Sequence, residues 1–496
     1  MRQDRDVTRR AFMVGSAAAL LLPTAAASAA SPALTTLFDH ALQAWPDYPE
    51  MLRRLAAGGI ADTGSDAAIL RMVVRGLERA AALETAFPYG KRLGASPYVI
   101  SHRHGVWLEI EDGPGDPAFR FHPLEMEAER LRAEAARGIV PPLFMLDAAR
   151  EGLRARYPTN APAAVARELD VLASLRARAP REPGVWQFPG GPGYYALRLR
   201  CTTGTDLTPL GLDRLVRAEI AALTRRADAL LERLGLSRGS VGARLRALKQ
   251  RPEHLYANDD AGRARAVADM NAVLDRVRPR LAAWFNPPIE AGAHVTRMRA
   301  ADETAGKRGY RDPATGTYYP DLADARERPG WTLATVACHE TIPGHMLQLR
   351  REAVAKPHAL QARYAVGYEE GWAIYAESLA DRMGIFTPVE QIGFLQSWLF
   401  RLARVAADIG IHVHRWSRAR AVAYLTETVG FELFFPFAVE VDRYAAEPAG
   451  FAGDAVAALT LAELAKRRTG PAAMRAFHDA VLNRGPLSVE ALRAVT

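Results

Sequence analysis

The stretch CHETIPGHMLQ, residues 338–348, holds residue types that can bind a metal ion and activate water. A hydrolytic zinc site needs three protein ligands and an open position for water, and a His followed directly by a Glu supplies one ligand and a base. In a regular helix the second His stands four residues after the first. Here it stands six residues on, at His345, where an ideal helix turns it about 120° away from His339. Regular helical spacing therefore excludes a shared ion.

Pro343 and Gly344 change that conclusion, because they fall between the two histidines. Pro343 lies four residues after His339, so it has no N–H for the His339 carbonyl, and its ring crowds that carbonyl. Gly344 allows backbone angles that are closed to other residues. The helix must bend or bulge here, and two extra residues looped into one turn can return His345 to the face of His339. We predict that both histidines bind one ion, with Glu340 as the base.

The third ligand is expected from a neighbouring helix. Glu370 opens the stretch EGWAIYAE 25 positions after His345, a separation that fits one helix, a turn and the start of the next helix. Glu377 follows on the same helical face as Glu370 and can orient a histidine ligand from behind. Glu369 points about 100° away and is the weaker ligand candidate.

Further along the chain, the stretch RLARVAADIGIHVHRW places Asp408 and His412 on one helical face. A His beside a catalytic metal can donate to the oxyanion that forms when a carbonyl is attacked, and an Asp can hold its tautomer. The alternative is a histidine that is hydrogen-bonded in the core. Tyr444 is a second candidate donor, with aromatic core packing as its alternative. His414 lies on another helical face and is not assigned a role.

The elements that must position these residues are mostly helices. Apolar residues recur at helical spacing along the chain, as in residues 213–235 and 370–384, each of which ends at or near a Gly. Strand-like alternation is scarce, and its short candidates are residues 97–102, 105–111 and 193–203. The sequence predicts a mainly α, large multi-helix fold with a minor β element and a central cleft.

The longest irregular stretch, residues 286–330, is rich in Gly, Pro, Asp and Tyr. It could be a linker, but a long polar loop just before a metal motif more often covers a site than joins two domains. Tyr318 and Tyr319 within it could line the cleft or form part of its lid. We place a helical N-terminal lobe at residues 31–290 and a metal-binding catalytic lobe at residues 291–496.

The first 30 residues differ from the rest of the chain. Arg9 and Arg10 precede an uncharged run that begins at Ala11, and a small-residue Ala-Ser-Ala sequence follows at residues 27–29. This order is typical of a twin-arginine signal peptide, so we expect a periplasmic or secreted protein. The alternative is an uncleaved membrane anchor, which Pro23 and the Ala/Ser-rich tail disfavour.

Charge and cysteine content exclude several other classes of protein. The formal net charge of +8 is spread along Arg-rich helices without the clustered basic residues and aromatic platforms of a nucleic-acid interface. Cys201 and Cys338 are the two cysteines. They could form one disulfide but do not make a disulfide scaffold. The expected partner is a peptide or small amide substrate, with no nucleic acid and no membrane contact beyond the signal segment.

Five motifs in this order resemble those of the bacterial family known as domain of unknown function number 885. They are HETIPGHMLQ, GYEEGWAIYAESLA, ADIGIH, VDRYAAEP and MRAFHDAVLNRGPL. Members are regarded as predicted zinc metallopeptidases related to the gluzincins, and dipeptidyl peptidase III is similar in carrying an insertion between its two histidines. The resemblance implies a metallopeptidase-like fold in which His339, His345 and Glu370 bind zinc. It also implies that Glu340 is the general base.

The chain departs from that family pattern at two places. Met346 stands where members usually have another His, and Asp454 and Ala455 stand where many carry a Tyr-Lys pair. The first hypothesis, based on His339, Glu340, His345 and Glu370, is an exported zinc-dependent hydrolase of peptide or related amide bonds. The alternative is a metal-binding member with altered or lost peptidase activity, serving as a tailoring enzyme or binding protein. A third, purely structural role would involve no tightly held metal.

Overall fold

A computed structural model describes residues 30–60, 63–88, 96–110, 117–287 and 292–496, without the side chains of residues 117–119. The predicted twin-arginine signal, residues 1–30, lies outside these ranges except for Ala30. Among the helices described, none combines the length and the hydropathy that a membrane span requires.

The described residues ahead of residue 287 fold mainly into helices. Several of them begin at a Ser, Thr or Asp whose side chain accepts a backbone N–H of the first turn, such as Ser31, Thr208 and Asp259. The helices are α1 (Pro32–Leu42), α2 (Tyr48–Ala56), α3 (Gly64–Ala86), α4 (Val106–Glu109), α5 (Pro117–Ala136), α6 (Leu143–Arg156), α7 (Ala163–Arg176), α8 (Gly191–Thr203), α9 (Pro209–Arg233), α10 (Val241–Lys249), α11 (Asp260–Val277) and α12 (Leu281–Trp284).

The remainder of the chain carries a small sheet and a second set of helices. The strands are β1 (His294–Val295), β2 (Tyr310–Asp312) and β3 (Thr317–Tyr319). The helices are α13 (Ala300–Thr304), α14 (Gly330–Glu340), α15 (His345–Ala355), α16 (Ala359–Tyr364), α17 (Tyr368–Arg382), α18 (Pro388–His412), α19 (Arg418–Val429), α20 (Phe437–Ala446), α21 (Ala452–Lys466), α22 (Pro471–Leu482) and α23 (Val489–Val495). The predicted mainly α fold with a minor β element is confirmed.

The β element lies within the stretch that was predicted to be irregular. The sheet has the order β1-β3-β2, with β1 parallel and β2 antiparallel to β3. Val295 pairs with Tyr318, and Tyr318 also pairs with Arg311 on the other side. The sheet therefore fixes the path of this loop immediately before α14, the helix that carries His339.

The three strand candidates from the sequence are wrong. Residues 193–203 lie in α8, where Tyr195, Leu199 and Thr203 are buried at four-residue spacing. Residues four apart lie on one face of a helix, and this helical pattern describes the segment correctly. The alternation that predicted a strand was misleading here.

The other two candidates fail because side chains bind the backbone groups that a strand would need. In residues 97–102, Ser101 Oγ accepts the N–H groups of Arg103 and His104, which closes a turn. In residues 105–111, α4 occupies residues 106–109, and a carboxylate of Glu127 accepts its first N–H groups. Residue 111 lies outside the described ranges.

Helix α18 is the central element of the fold. From Ile392 to His412 almost every side chain is buried, as expected for a helix that is surrounded on all sides. The main hydrophobic core extends from Ala30 to Leu492 and takes residues from both sides of the predicted lobe boundary. That boundary stays a prediction, because residues 288–291 are not described.

A smaller core, formed by α4 to α7, contains a buried acid. The side chain of Glu168 is fully buried, and neither carboxylate oxygen has a hydrogen-bond partner among the described residues. Burial, together with the nearby charge of Glu127, raises the pKa of Glu168 from 4.5 to about 8. The folded protein therefore holds this carboxyl protonated at neutral pH.

This buried acid predicts a pH-dependent stability. The pKa of Glu168 is higher in the folded state than in the unfolded state. The folded protein is therefore most stable with respect to this group below pH 4.5, and it loses that stability as the pH rises towards about 8. We expect Glu168→Gln to raise the free energy of unfolding at pH 8 by about 4 kcal/mol relative to its effect at pH 4.5. Urea denaturation at both pH values measures this difference. Asp170→Asn, an exposed change on the same helix, is the control, and parallel pH profiles for wild type and Glu168→Gln would contradict the prediction.

Candidate metal centre

The turn between the two histidines is a complete break in the helix, not the bulge expected from the sequence. Helix α14 ends at Glu340 and α15 begins at His345, so the four residues 341–344 form the turn. The N–H of Gly344 donates to the carbonyl of Cys338 at 3.0 Å, which folds the turn back over the end of α14. A Cβ atom on Gly344 would lie 2.0 Å from the His339 carbonyl oxygen, so only glycine fits this position.

The break brings the two imidazole rings together from separate helices. The ring centroids of His339 and His345 are 4.9 Å apart, and the rings are nearly perpendicular at 87°. Both side chains are buried, with His345 completely so. The predicted juxtaposition is therefore present, although each histidine occupies its own helix.

Glu370 completes the cluster from the first turn of α17. Two contacts fix α17 against its surroundings. The Trp372 Nε1–H donates to the Pro343 carbonyl at 3.1 Å, which ties α17 to the turn between the histidines. Gly367, just before α17, has φ 74° and lies so close to Gly453 that an added Cβ would come within 2.3 Å of its carbonyl. These contacts hold the Glu370 carboxylate beside both rings.

The three side chains fit a shared metal ion. Glu370 Oε2 lies 3.5 Å from His339 Nε2, and Glu370 Oε1 lies 3.6 Å from His345 Nε2. Two ligands of a tetrahedral ion with bonds of about 2.0–2.1 Å are roughly 3.4 Å apart. The potential ligand atoms all lie within 4.8 Å of one another. Moreover, the buried His345 Nε2 has no hydrogen-bond partner among the described residues, as expected for a nitrogen that faces an ion.

The far nitrogen of each ring is held by a polar side chain. His339 Nδ1 donates to Glu377 Oε1 at 2.8 Å, which is the orienting contact expected from the sequence. His345 Nδ1 donates to Gln348 Oε1 at 3.3 Å, and Gln348 Nε2 donates to Glu352 Oε1 at 2.7 Å. Both contacts leave the Nε2 atoms directed at Glu370, which is the orientation that metal binding requires.

Gln348 and Glu352 were missed by the sequence analysis. They follow His345 at three and seven residues, so they share its face of α15 once the helix is known to start at His345. Their spacing from His345 is visible in the sequence, but the start of α15 at His345 is not.

The charges of the cluster stabilise one another. Burial lowers the pKa of His339, but the facing carboxylates of Glu370 and Glu377 outweigh burial and raise that pKa to about 9. Burial raises the pKa of Glu370, but the two facing histidines and the charge of Arg401 bring it well below its ordinary value. The three clustered side chains thus favour a positive charge in the space between them.

Glu340, the predicted base, is paired with Arg311, which the sequence analysis missed. Arg311 reaches across from β2 and donates to Glu340 Oε2, and its Nη2 lies 3.6 Å from Glu369 Oε1. Burial raises the pKa of Glu340, but Arg311 and the two histidines lower it below its ordinary value. Tyr318 is buried in β3 near the same charge, and burial raises the pKa of its hydroxyl. The loop before α14 therefore covers part of the site.

Two arginines of α18 lie behind Glu370. Arg401 Nη1 is 3.2 Å from Glu370 Oε2, and Arg404 Nη2 is 2.8 Å from Asp454 Oδ2. Burial, partly offset by Arg404, raises the pKa of Asp454 to about 6. A buried ion pair thus occupies the space beside the candidate ligand.

The structure does not bring His412 to the cluster. Its Nδ1 accepts the Val185 N–H at 3.1 Å, and its Nε2–H donates to the Tyr444 carbonyl at 3.0 Å. Asp408 accepts the Tyr195 hydroxyl and the Ala449 N–H, so it is also committed to the core. Burial lowers the pKa of His412 to about 4 and raises that of Asp408 to about 7. Both ring nitrogens of His412 are thus occupied, and no N–H is left to donate to an oxyanion. His412 therefore has a structural role instead of the expected catalytic one.

Tyr444 is also a core residue. Its side chain is fully buried, and its hydroxyl donates to Glu440 Oε2 at 2.9 Å, so it is not placed to donate to a substrate. His414, which was given no role, forms a 2.9 Å contact with Asp213. For His412 and Tyr444, the structure therefore agrees with the alternative given in the sequence analysis, which is a residue held in the core.

The fold and the site define a mainly helical protein with a His-His-Glu cluster at a broken helix. Residues 62–495 match the family described as "Bacterial protein of unknown function (DUF885)", and the chain belongs to this family. No curated protein matches it.

Two similar solved structures are each described as a "putative lipoprotein". The one from Colwellia psychrerythraea is 23% identical with a TM-score of 0.70, and the match covers 92% of this chain and 90% of that one. The one from Shewanella oneidensis, described as of unknown function, is 14% identical with a TM-score of 0.64, and the match covers 93% and 98%. At these identities the likeness shows the shared fold alone.

Proposed function

We propose that the protein is an exported zinc-dependent hydrolase of peptide or related amide bonds. The observation that carries this proposal is the convergence of two histidine Nε2 atoms on the Glu370 carboxylate at 3.5 and 3.6 Å. Two His and one Glu form a typical ligand set of catalytic zinc and leave a position for water. Zinc is favoured by this set, although His and carboxylate ligands accept other divalent ions.

The chain's own residues have defined tasks in this reaction. When bound, zinc would supply Lewis acidity to the scissile carbonyl and to the attacking water. Glu340, directly after the first ligand in sequence, takes the proton from that water and delivers it to the leaving amine. Its lowered pKa keeps the carboxylate ionised, which is the form that can take up a proton. Glu377 and Gln348 hold the two imidazoles in the tautomer that directs Nε2 at the ion.

The proposed location is outside the cytoplasm. The support is the paired arginines and uncharged run of residues 1–30, of which residues 1–29 lie outside the described structure. The description of both similar structures as lipoproteins agrees with a place in the cell envelope.

A second candidate function is a metal-binding protein with changed or lost peptidase chemistry. It is favoured by the Arg404–Asp454 ion pair, which stands where many family members carry Tyr. In addition, neither His412 nor Tyr444 is free to donate to an oxyanion. Such a protein would bind or modify a small amide.

A peptide screen with controlled metal content separates these candidates. The mature protein is stripped with a chelator, reloaded with one equivalent of zinc and incubated with a mixture of short peptides, whose fragments are followed by mass spectrometry. Hydrolysis that depends on zinc supports the proposed function. Bound zinc without cleavage of any peptide or acylated amino acid would favour the second candidate, and a failure to bind zinc would reject both.

A further inference from the structure

Arg311 lies at the edge of the candidate site that faces solvent. Its guanidinium bridges Glu340 on one side and Glu369 on the other, where the Nη2–Oε1 distance is 3.6 Å. The Glu369 side chain is 56% exposed and the Arg311 side chain 24% exposed. A substrate that enters the site from this side therefore meets Arg311 before it reaches Glu340.

The chemistry of the guanidinium group selects carboxylates. Its fixed fork of N–H donors matches the two oxygens of a carboxylate, and such charge-assisted pairs are stronger than neutral hydrogen bonds. Both partners that the structure gives the Arg311 guanidinium are carboxylates. By contrast, Arg401 is 11% exposed and is held against the candidate ligand Glu370. Arg311 is thus the better placed of the two for an incoming anion.

The position of Arg311 also indicates which part of a substrate it would meet. In the proposed reaction Glu340 passes a proton to the leaving amine, so an arginine in contact with Glu340 lies on the leaving-group side. The α-carboxylate carbon of an amino acid is about 2.5 Å from its amine nitrogen, given the N–Cα and Cα–C bond lengths. A carboxylate beside the leaving amine would therefore be within reach of Arg311, which already contacts Glu340.

We infer that Arg311 binds the free α-carboxylate of the residue that is released, so the substrates are peptides or N-acyl amino acids cleaved at their C-terminal amide bond. This inference rests on the proposed function. In the step, the water oxygen bonds to the carbonyl carbon, the C–N bond breaks, and the water proton passes through Glu340 to the amine. The products are a shortened acid and a free amino acid. Because the incoming carboxylate takes the place of Glu340 beside Arg311, it also frees the oxygen that accepts the proton.

The test compares two N-acetylated tripeptides that differ only in a free or an amidated C-terminus, using the zinc-loaded mature protein. We expect wild type to favour the free acid at least tenfold in kcat/KM, since charge-assisted hydrogen bonds to a carboxylate are stronger than those to a neutral amide. Arg311→Gln is expected to bring the ratio close to one, and Arg311→Lys to retain part of the preference. Arg308→Gln is the matched control, because Arg308 lies in the same loop but pairs with Asp321 and packs over Phe435.

Two readouts keep this inference separate from the proposed function. Calorimetric titration of the same two peptides measures their affinity whether or not they are cleaved, and thermal unfolding checks that each variant is folded. If neither peptide is cleaved, the proposed function fails, while a preference for binding the acid that Arg311→Gln abolishes still supports carboxylate recognition. Equal rates and affinities for the acid and the amide in wild type would overturn the inference, as would an unchanged preference in Arg311→Gln.

Discussion

Glu340→Gln is expected to lower kcat for a cleaved peptide by about 10³-fold, within the 10²–10⁴ range of general acid–base catalysis. The amide has nearly the shape of the carboxylate but cannot take a proton from water. Glu340 is not one of the three clustered ligand side chains, so the variant should keep its zinc. The change should therefore appear in kcat and not in metal content.

The measurement is a steady-state rate on one peptide with zinc content determined for each sample. Glu327→Gln is the control, because Glu327 is a largely exposed carboxylate that pairs with Lys249 at the surface. An unchanged rate in Glu340→Gln would reject Glu340 as the base. Loss of both zinc and activity would instead show that Glu340 helps to hold the ion.

The second large effect is expected for His345→Ala, which removes one of the three candidate ligands from the cluster. We expect its affinity for zinc to fall by more than about 100-fold, beyond the 10–100-fold loss typical of residues that only support a ligand. Its replacement also leaves space in a fully buried position, so thermal unfolding must be measured alongside metal binding. Competition with a chromophoric chelator gives the affinity.

Two further variants make this result specific. Glu377→Gln keeps the volume behind His339 but removes the charged acceptor at 2.8 Å, so its affinity should fall by about 10–100-fold. His414→Ala should bind zinc as wild type does, because its imidazole contacts Asp213 away from the cluster. Similar affinities in His345→Ala and His414→Ala would contradict the assignment of His345 as a ligand.

The central part of the site could be predicted because its chemistry is local. His339, Glu340 and His345 lie within seven residues, and Pro343 has a known effect on a helix. The physics excluded a regular helix, and a bend or a bulge was predicted as the way to bring the rings together. The complete break was not predicted, because it depends on contacts such as the Trp372 indole donating to the turn.

The roles predicted for His412 and Tyr444 were not supported because helical spacing shows which residues share a face but not what that face meets. His412 faces Val185, more than two hundred residues earlier in the chain, and this partner satisfies the ring. Tyr444 meets Glu440 one turn back on its own helix, a spacing that could have been noticed.

Arg311 could not have been found from spacing, because it reaches Glu340 through the tertiary path of a loop. That path is set by the pairing of β2 with β3, three residues each. Strands this short carry too little alternation to be recognised in a sequence. By contrast, long helices such as α9 and α18 repeat their pattern over many turns, which is why the helical character of the fold was predictable.

The most direct test of the account is a crystal structure of the mature protein grown with zinc and measured at the zinc absorption edge. The account predicts one strong anomalous peak about 2.0–2.2 Å from His339 Nε2, His345 Nε2 and a Glu370 oxygen. A zinc-loaded crystal with no peak between these three side chains, or with the ion bound by other residues, would contradict it.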